Sequence, residues 1–287
     1  IFGLLFFFVS EACSADYFEF QVTGTTNTLR SITFTDQNTG ICVGGSSTIL
    51  RTSNGGTNWV NIDVSTSAAY YTCVAFANTT TAFVTSDSGQ LVKTTNGGLN
   101  WTISNFSTGP LKYVYFLNST LGFIGGSNST LYKTTNGGVN WSRVYMPWVL
   151  SNISLFMVDS STGYIVLDSG KIVRTTNGGE NWYFSGSTPN KVIKKIFFQN
   201  TSTGFALGLS PTNNYSAAIF RTTNSGTDWE EKYSCYDCTF TDMFFVSSTG
   251  YVVGEQYQFV YNSVYKTKVF KTLDNGFSWD SIPNNLY

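Results

Sequence analysis

Three sets of residues in this 287-residue chain have the types and spacing to do chemistry. Arginine is scarce, and the five arginines Arg30, Arg51, Arg143, Arg174 and Arg221 include enough cations to clamp an anionic substrate. Asp36, Asp159 and Asp242 are acids that could pair for general acid and base work. Cys235-Tyr-Asp-Cys238 has the spacing of a redox pair, of half a zinc site, or of a short disulfide. Against all three stands the complete lack of histidine, which removes imidazole-based triads and His-ligated metal sites. No second CxxC completes a zinc site, so a loop-pinning disulfide is the expectation for Cys235 and Cys238. No metal and no cofactor is expected.

The elements that must position these residues are written as a repeat. A turn of the form Thr-x-Asn-Gly-Gly-x-Asn-Trp, or a close variant of it, recurs six times, ending at Trp59, Trp101, Trp141, Trp182, Trp229 and Trp279, at spacings of 42, 40, 41, 47 and 50 residues. That period is one four-stranded propeller blade. A second signature lies upstream in each copy, an aromatic or apolar run, a polar turn and a small residue: 34–40, 76–82, 116–122, 157–163, 198–204 and 244–250. In the third copy the reading places strands at 113–117, 122–126, 130–135 and 140–145, with Asn-Gly-Gly supplying positive φ at the last hairpin. Only 11% of residues are charged and 17% are aromatic. The expected fold is an all-β, six-bladed β-propeller of four-stranded antiparallel blades over 29–287, with an N-terminal extension.

The turn resembles the Asp-box, or bacterial neuraminidase repeat, whose motif is Ser/Thr-x-Asp-x-Gly-x-Thr-Trp. Here Asn54, Asn96, Asn136, Asn177 and Asn224 take the Asp place, and Asp274 alone matches strictly. The Thr-Thr-Asn-Gly-Gly form is most similar to the repeat propellers that include the photosystem II stability and assembly factor family. The resemblance implies a propeller over about 29–285. It implies no single activity, because such turns recur in sialidases, sorting receptors and assembly factors.

Repetition also accounts for most of the candidate chemistry. Arg51, Arg174 and Arg221 fill the same repeat position as Lys93, Lys133 and Lys271, which marks a structural site and leaves only Arg30 and Arg143. A sialidase arginine triad is thereby excluded. The three acids are read as turn and channel-mouth residues in different repeat registers. The expectation is a protein without catalytic residues.

The remaining signals are irregularities. Residues 1–9 are apolar and end in Ser10, Glu11 and Ala12-Cys13-Ser14-Ala15, either a secretion signal cut after Ala15 or a retained arm that carries Phe6, Phe7 and Phe8 into a neighbouring subunit. The run is too short to span a bilayer. Either option predicts a secreted or cell-surface protein. Residues 16–28 form an extended segment in which Phe18, Phe20 and Val22 alternate as in a strand. Blade five inserts 210–216, and blade six extends 255–268 into a hairpin bearing Tyr257, Phe259, Tyr261 and Tyr265. These insertions and the Cys235 loop fall on one face, the expected contact surface.

Cys42 and Cys73 either bridge adjacent blades or stay as thiols. Glycosylation candidates are the sequons at Asn78, Asn118, Asn128, Asn152, Asn200 and Asn214. With a net charge of −1 there is no basic field for nucleic acid. The expected function is that of a non-catalytic structural or interaction module, binding a protein or copies of itself and able to form filaments. A photosystem-type assembly chaperone and a carbohydrate-binding lectin or glycosidase are the alternatives.

Overall fold

The computed structural model describes residues 21–64, 69–127, 130–147, 154–167, 170–188, 193–209, 216–258 and 264–282, with side chains 258–266 excepted. Each repeat folds as one four-stranded antiparallel meander, and the chain is an all-β, six-bladed propeller. Two compact units divide the blades at Tyr145/Met146.

In the first unit, blade 1 comprises β1 (Leu29–Phe34), β2 (Gly40–Gly44), β3 (Ile49–Thr52) and β4 (Val60–Asn61). Blade 2 comprises β5 (Tyr71–Phe76), β6 (Ala82–Ser86), β7 (Gln90–Thr94) and β8 (Thr102–Asn105). Blade 3 comprises β9 (Leu111–Phe116), β10 (Gly122–Gly126), β11 (Leu131–Thr134) and β12 (Ser142–Arg143), close to the strands read from the sequence. The second strand of each of these three blades, such as Gly40–Gly44 or Ala82–Ser86, is buried along its whole length. Sheets packed face to face bury both sides of such a strand, so its sequence is a continuous apolar run rather than an alternation. Ile41, Val43, Val74, Val84 and Val92 fill the layer between blades 1 and 2.

In the second unit, blade 4 comprises β13 (Ser154–Met157), β14 (Gly163–Val166), β15 (Lys171–Thr175) and β16 (Tyr183–Ser187). Blade 5 comprises β17 (Ile193–Phe198), β18 (Gly204–Leu209), β19 (Ser216–Thr222) and β20 (Glu230–Tyr236). Blade 6 comprises β21 (Cys238–Val246), β22 (Thr249–Gln258), β23 (Val264–Thr272) and β24 (Asp280–Ile282). Phe205, Leu207, Phe240, Phe245, Phe270 and Trp279 form the layer between blades 5 and 6. Each such ring contributes roughly 1.5–3 kcal/mol through burial.

The first strand of each blade is an edge, with backbone groups that need partners. Small polar residues on the preceding first strand supply some of them. Ser31 Oγ accepts the Val74 N–H at 3.1 Å, and Ser154 Oγ accepts the Ile196 N–H at 2.9 Å.

Candidate interaction surface

The repeated Thr-x-Asn-Gly-Gly turn is a closed hydrogen-bonding device. In blade 2, Gly97 and Gly98 take φ of 68° and 86°, a region that favours glycine. Thr94 Oγ1 accepts the Gly98 N–H and donates to Asn96 Oδ1, both at 3.0 Å, and Asn96 Oδ1 also accepts the Asn100 N–H at 2.9 Å. The same threonine bonds recur at Thr52, Thr134, Thr175, Thr222 and Thr272. The indole N–H of Trp101 donates to Gly98 O at 3.2 Å, and that of Trp229 to Gly226 O at 3.0 Å. The threonine hydroxyl and the oxygen of the Asn or Asp two residues on are thus bonded within each turn.

The repeated cation has a structural partner as well. Arg51 Nε donates to Gly97 O at 2.7 Å, and Arg221 Nε to Asn275 O at 3.2 Å, so a third strand holds the turn of the following blade. In blade 4 the hydroxyl of Ser185 takes the equivalent carbonyl, Ser225 O, at 3.2 Å. Arg174 Nε is buried there without a hydrogen-bond partner, while its guanidinium lies 5.8 Å from the Tyr164 ring centre.

The acids need a correction. Asp36 and Asp159 do not occupy different registers: both stand two residues after the aromatic or Met that ends the first strand, where Asn78, Asn118 and Asn200 stand in other blades. Each caps its turn. Asp36 Oδ1 accepts the N–H groups of Asn38 at 2.7 Å and Thr39 at 2.8 Å, and Asp159 Oδ1 those of Ser161 and Thr162 at 2.7 Å each. The Thr39 amide foremost holds the Asp36 carboxyl below the usual range, and the Ser161 hydroxyl foremost does the same for Asp159. Asp242 alone is different, on the first strand of blade 6 and ion-paired with Lys195 at 2.8 Å.

This turn also explains three sequons. Asn78, Asn118 and Asn200 each accept two backbone N–H groups through Oδ1, and the hydroxyls of Thr80, Thr120 and Ser202 donate to the same oxygen at 2.9–3.0 Å. Ser161 does this for Asp159, where no sequon exists. The hydroxyl two residues on therefore serves the turn in these four blades, while Asn38 takes that place after Asp36 in blade 1. Asn128, Asn152 and Asn214 lie outside the described residues.

A second correction concerns blade 6. The sequence reading paired Phe244 with Gly250, but Gly250 lies opposite Phe245, and a Cβ on Gly250 would strike that ring. The Ser247-Ser248 hairpin is shorter than its counterparts, which moves the core position by one residue. Phe245 packs edge-on to Trp279 at 5.7 Å, as Phe34, Phe116 and Phe198 pack on Trp59, Trp141 and Trp229. Phe244 is left 46% exposed.

Cys235 and Cys238 form a disulfide across the connection between blades 5 and 6. Cys42 and Cys73 are free thiols, which settles the alternative left open for them. Cys42 is buried with Leu50 and packs on Trp59, and burial pushes its thiol up to about 12. Cys73 packs separately, against the blade 2 and 3 layer, with Sγ 3.5 Å from Val114 O.

The strands flanking that disulfide exceed the repeat. β21, β22 and β23 have nine, ten and nine residues, against six, five and four in the corresponding strands of blade 3. The extension brings Tyr257 opposite Tyr265, and Tyr257 is half-buried. Its N–H donates to Asp237 O at 2.7 Å, and Gln256 Nε2 donates to Tyr236 O at 3.3 Å. Tyr236 itself is 61% exposed. The sequence reading did not single it out, although its place inside the CxxC spacing was the available signal. Phe259, Tyr261, Phe6, Phe7, Phe8, Phe18 and Phe20 lie outside the described residues. No helix among the described residues is long and apolar enough to cross a membrane.

Comparison with known proteins fits this geometry. Among solved structures, the chain is similar to YCF48 bound to D1 peptide, at TM-score 0.69 and 17% identity over 91% of this chain and 84% of that one. It is similar to YCF48 from Cyanidioschyzon merolae at TM-score 0.67 and 17% identity, over 90% and 86%. The GH74 enzyme of Niastella koreensis matches at TM-score 0.70 and 18% identity, over 89% of this chain but 45% of its own. At these identities the likeness shows the fold alone. No curated protein matches the chain in sequence. The model of the photosynthesis system II assembly factor YCF48 family matches residues 10–110 and 59–196, more than half of the sequence, and the chain belongs to that family.

Proposed function

We propose that the chain is a non-catalytic binding propeller whose contact surface is the raised face of blades 5 and 6, and that its ligand is a protein segment. One observation carries this reading: blade 6 departs from the repeat by extending three strands alongside the exposed Tyr236 that ends blade 5, an outlay that closing a blade does not require. An exposed tyrosine on a disulfide-pinned turn is a rigid, amphipathic contact of the kind enriched at interfaces. The YCF48 relative bound to D1 peptide makes an extended peptide the first ligand to test. The disulfide favours an oxidising compartment, hence a secreted or surface location. Self-assembly through the N-terminal segment belongs to the same proposal.

A glycan-active reading draws on the GH74 neighbour. Fluorescence anisotropy with a labelled D1 peptide, run beside a reducing-end assay on xyloglucan, separates the two. Saturable peptide binding that Tyr236→Ala weakens about tenfold, with no sugar released, supports the proposal. Release of reducing ends, or peptide binding indifferent to Tyr236→Ala, overturns it. Sedimentation velocity on the same samples reports self-association.

A further inference from the structure

The disulfide occupies an unusual place for a stabilising cross-link. It closes a ring of only four residues, Cys235 to Cys238, which restrains little of the unfolded chain, because loop-closure entropy grows with loop length. Its effect must be local. β20 ends at Tyr236 and β21 begins at Cys238, so Asp237 alone makes the connection, with φ of 53° in the left-handed region. A non-glycine residue is costly there unless its surroundings enforce it.

The carbonyls of that short connection carry the base of the blade 6 hairpin. Asp237 O receives the Tyr257 N–H, and Tyr236 O receives Gln256 Nε2. β21 offers no ladder partner beyond the Cys238–Gln256 pair, whereas β22 and β23 continue to pair through Gln258 and Val264. The end of β22 is thus tied to the body of blade 6 through the cysteine loop.

We propose that the Cys235–Cys238 disulfide is a redox-released latch that sets the hairpin of blade 6. This rests on the reading of the blade 5 and 6 face as the contact surface, whose presentation the latch would regulate. The reductant is a dithiol. One of its thiolates attacks Sγ of Cys235, the half-buried sulfur, and the S–S bond breaks with Cys238 leaving as a thiolate that takes up a proton. The second thiol of the reductant then displaces Cys235, which is protonated in turn, and the reductant departs as its disulfide. Two electrons pass to the protein. Cys238 is buried among Phe240, Met243 and Phe270, where a neutral thiol behaves as a small apolar group, so the reduced form keeps its core. What reduction releases is the turn at Asp237.

The test is hydrogen exchange of the Tyr257 amide in a Cys13→Ser background, so that no other cysteine outside the described residues contributes. Dithiothreitol should raise exchange at Tyr257 about fivefold or more while blade 3 amides stay unchanged, as local opening below the global barrier does. The Cys235→Ser/Cys238→Ser variant should show the raised rate without reductant, and reoxidation of the parent should reverse it. Tyr257 exchange within about twofold in the two redox states would overturn the latch. A chain that binds no D1 peptide in either state would sink the contact-surface reading alone, since the exchange measurement needs no ligand.

Discussion

Blade 3 and blade 6 carry the same turn on different bodies. Thr134 and Thr272 both hold the glycine amide of their turn at 2.9 Å, and Trp141 and Trp279 both pack edge-on to a phenylalanine that ends the first strand or precedes its last residue. Yet blade 3 uses strands of six, five, four and two residues, and blade 6 uses nine, ten, nine and three. The shared part is what folding a blade requires. The excess in blade 6 runs beside the exposed Tyr236 at the end of blade 5, and folding does not ask for it.

The strongest way to break this comparison is at the last glycine of each turn. A Cβ on Gly138 would strike the ring of Phe83, and one on Gly276 the ring of Phe205, both at positive φ. Left-handed strain of about 1–2 kcal/mol and overpacking of about 1–3 kcal/mol give a cost of roughly 2–5 kcal/mol for Gly138→Ala and Gly276→Ala alike. Urea unfolding followed by exchange in the affected blade measures both. Unequal costs would mean that blade 6 no longer uses the common scaffold. Thr134→Val and Thr272→Val come next, at about 1–3 kcal/mol each, because an amide loses its buried acceptor while volume is kept. The same unfolding curves should show matching shifts in the two variants.

The parity of the two turns was legible in the sequence because glycine, threonine and tryptophan recur at fixed spacing, and each has one dominant reason to be there. Positive φ, a buried hydroxyl acceptor and a ring over the turn follow from residue type alone. The blade boundaries followed for the same reason. An even spacing of six aligns Phe244 with Phe34 and Phe116, and a two-residue hairpin at Ser247-Ser248 is invisible without the strand register. Asp36 and Asp159 were split into different registers although both cap the same turn as Asn78. Asp and Asn do equivalent work there through Oδ1, so identity of residue concealed identity of role. Tyr236 could not be found by type or period, since its exposure depends on how far β19 and β20 continue beside it.

A milder probe addresses the excess itself. If the extension serves binding, Tyr236→Ala should leave stability within about 0.5 kcal/mol, as expected of an exposed side chain. Thermal or urea midpoints equal to the parent's would sharpen the contrast with Gly276→Ala in the neighbouring blade. A loss above about 2 kcal/mol would make Tyr236 part of the fold and remove the basis for calling that face a contact surface.

The smallest expected effect lies in the one acid at the asparagine place of the six turns. Asp274 Oδ2 accepts the Ser278 hydroxyl at 2.6 Å, and Oδ1 accepts the Ser278 and Phe277 amides at 3.0 Å and the Thr272 hydroxyl at 2.7 Å. These bonds, the Ser278 hydroxyl first, lower its pKa from 3.8 to about 2. A carboxyl depressed on folding adds stability that is present above its unfolded value and fades as pH falls through the folded one, so the window lies between about 4 and 2. Asn136 makes the same turn in blade 3 without titrating, and Asn118 caps the other turn of that blade, which makes blade 3 an acid-insensitive reference. The Phe277 and Ser278 amides should therefore exchange faster as pH drops from 5 to 2, after correction for intrinsic rates, while the Asn140 amide does not. Asp274→Asn should flatten the blade 6 profile. Because Asp36 and Asp159 continue to titrate elsewhere, the readout must be these local amides and not the global midpoint. If Asp274→Asn leaves the local pH profile unchanged, the sixth turn is held by its backbone and threonine alone, and its acid is no more than a tolerated variant of the asparagine in the other five.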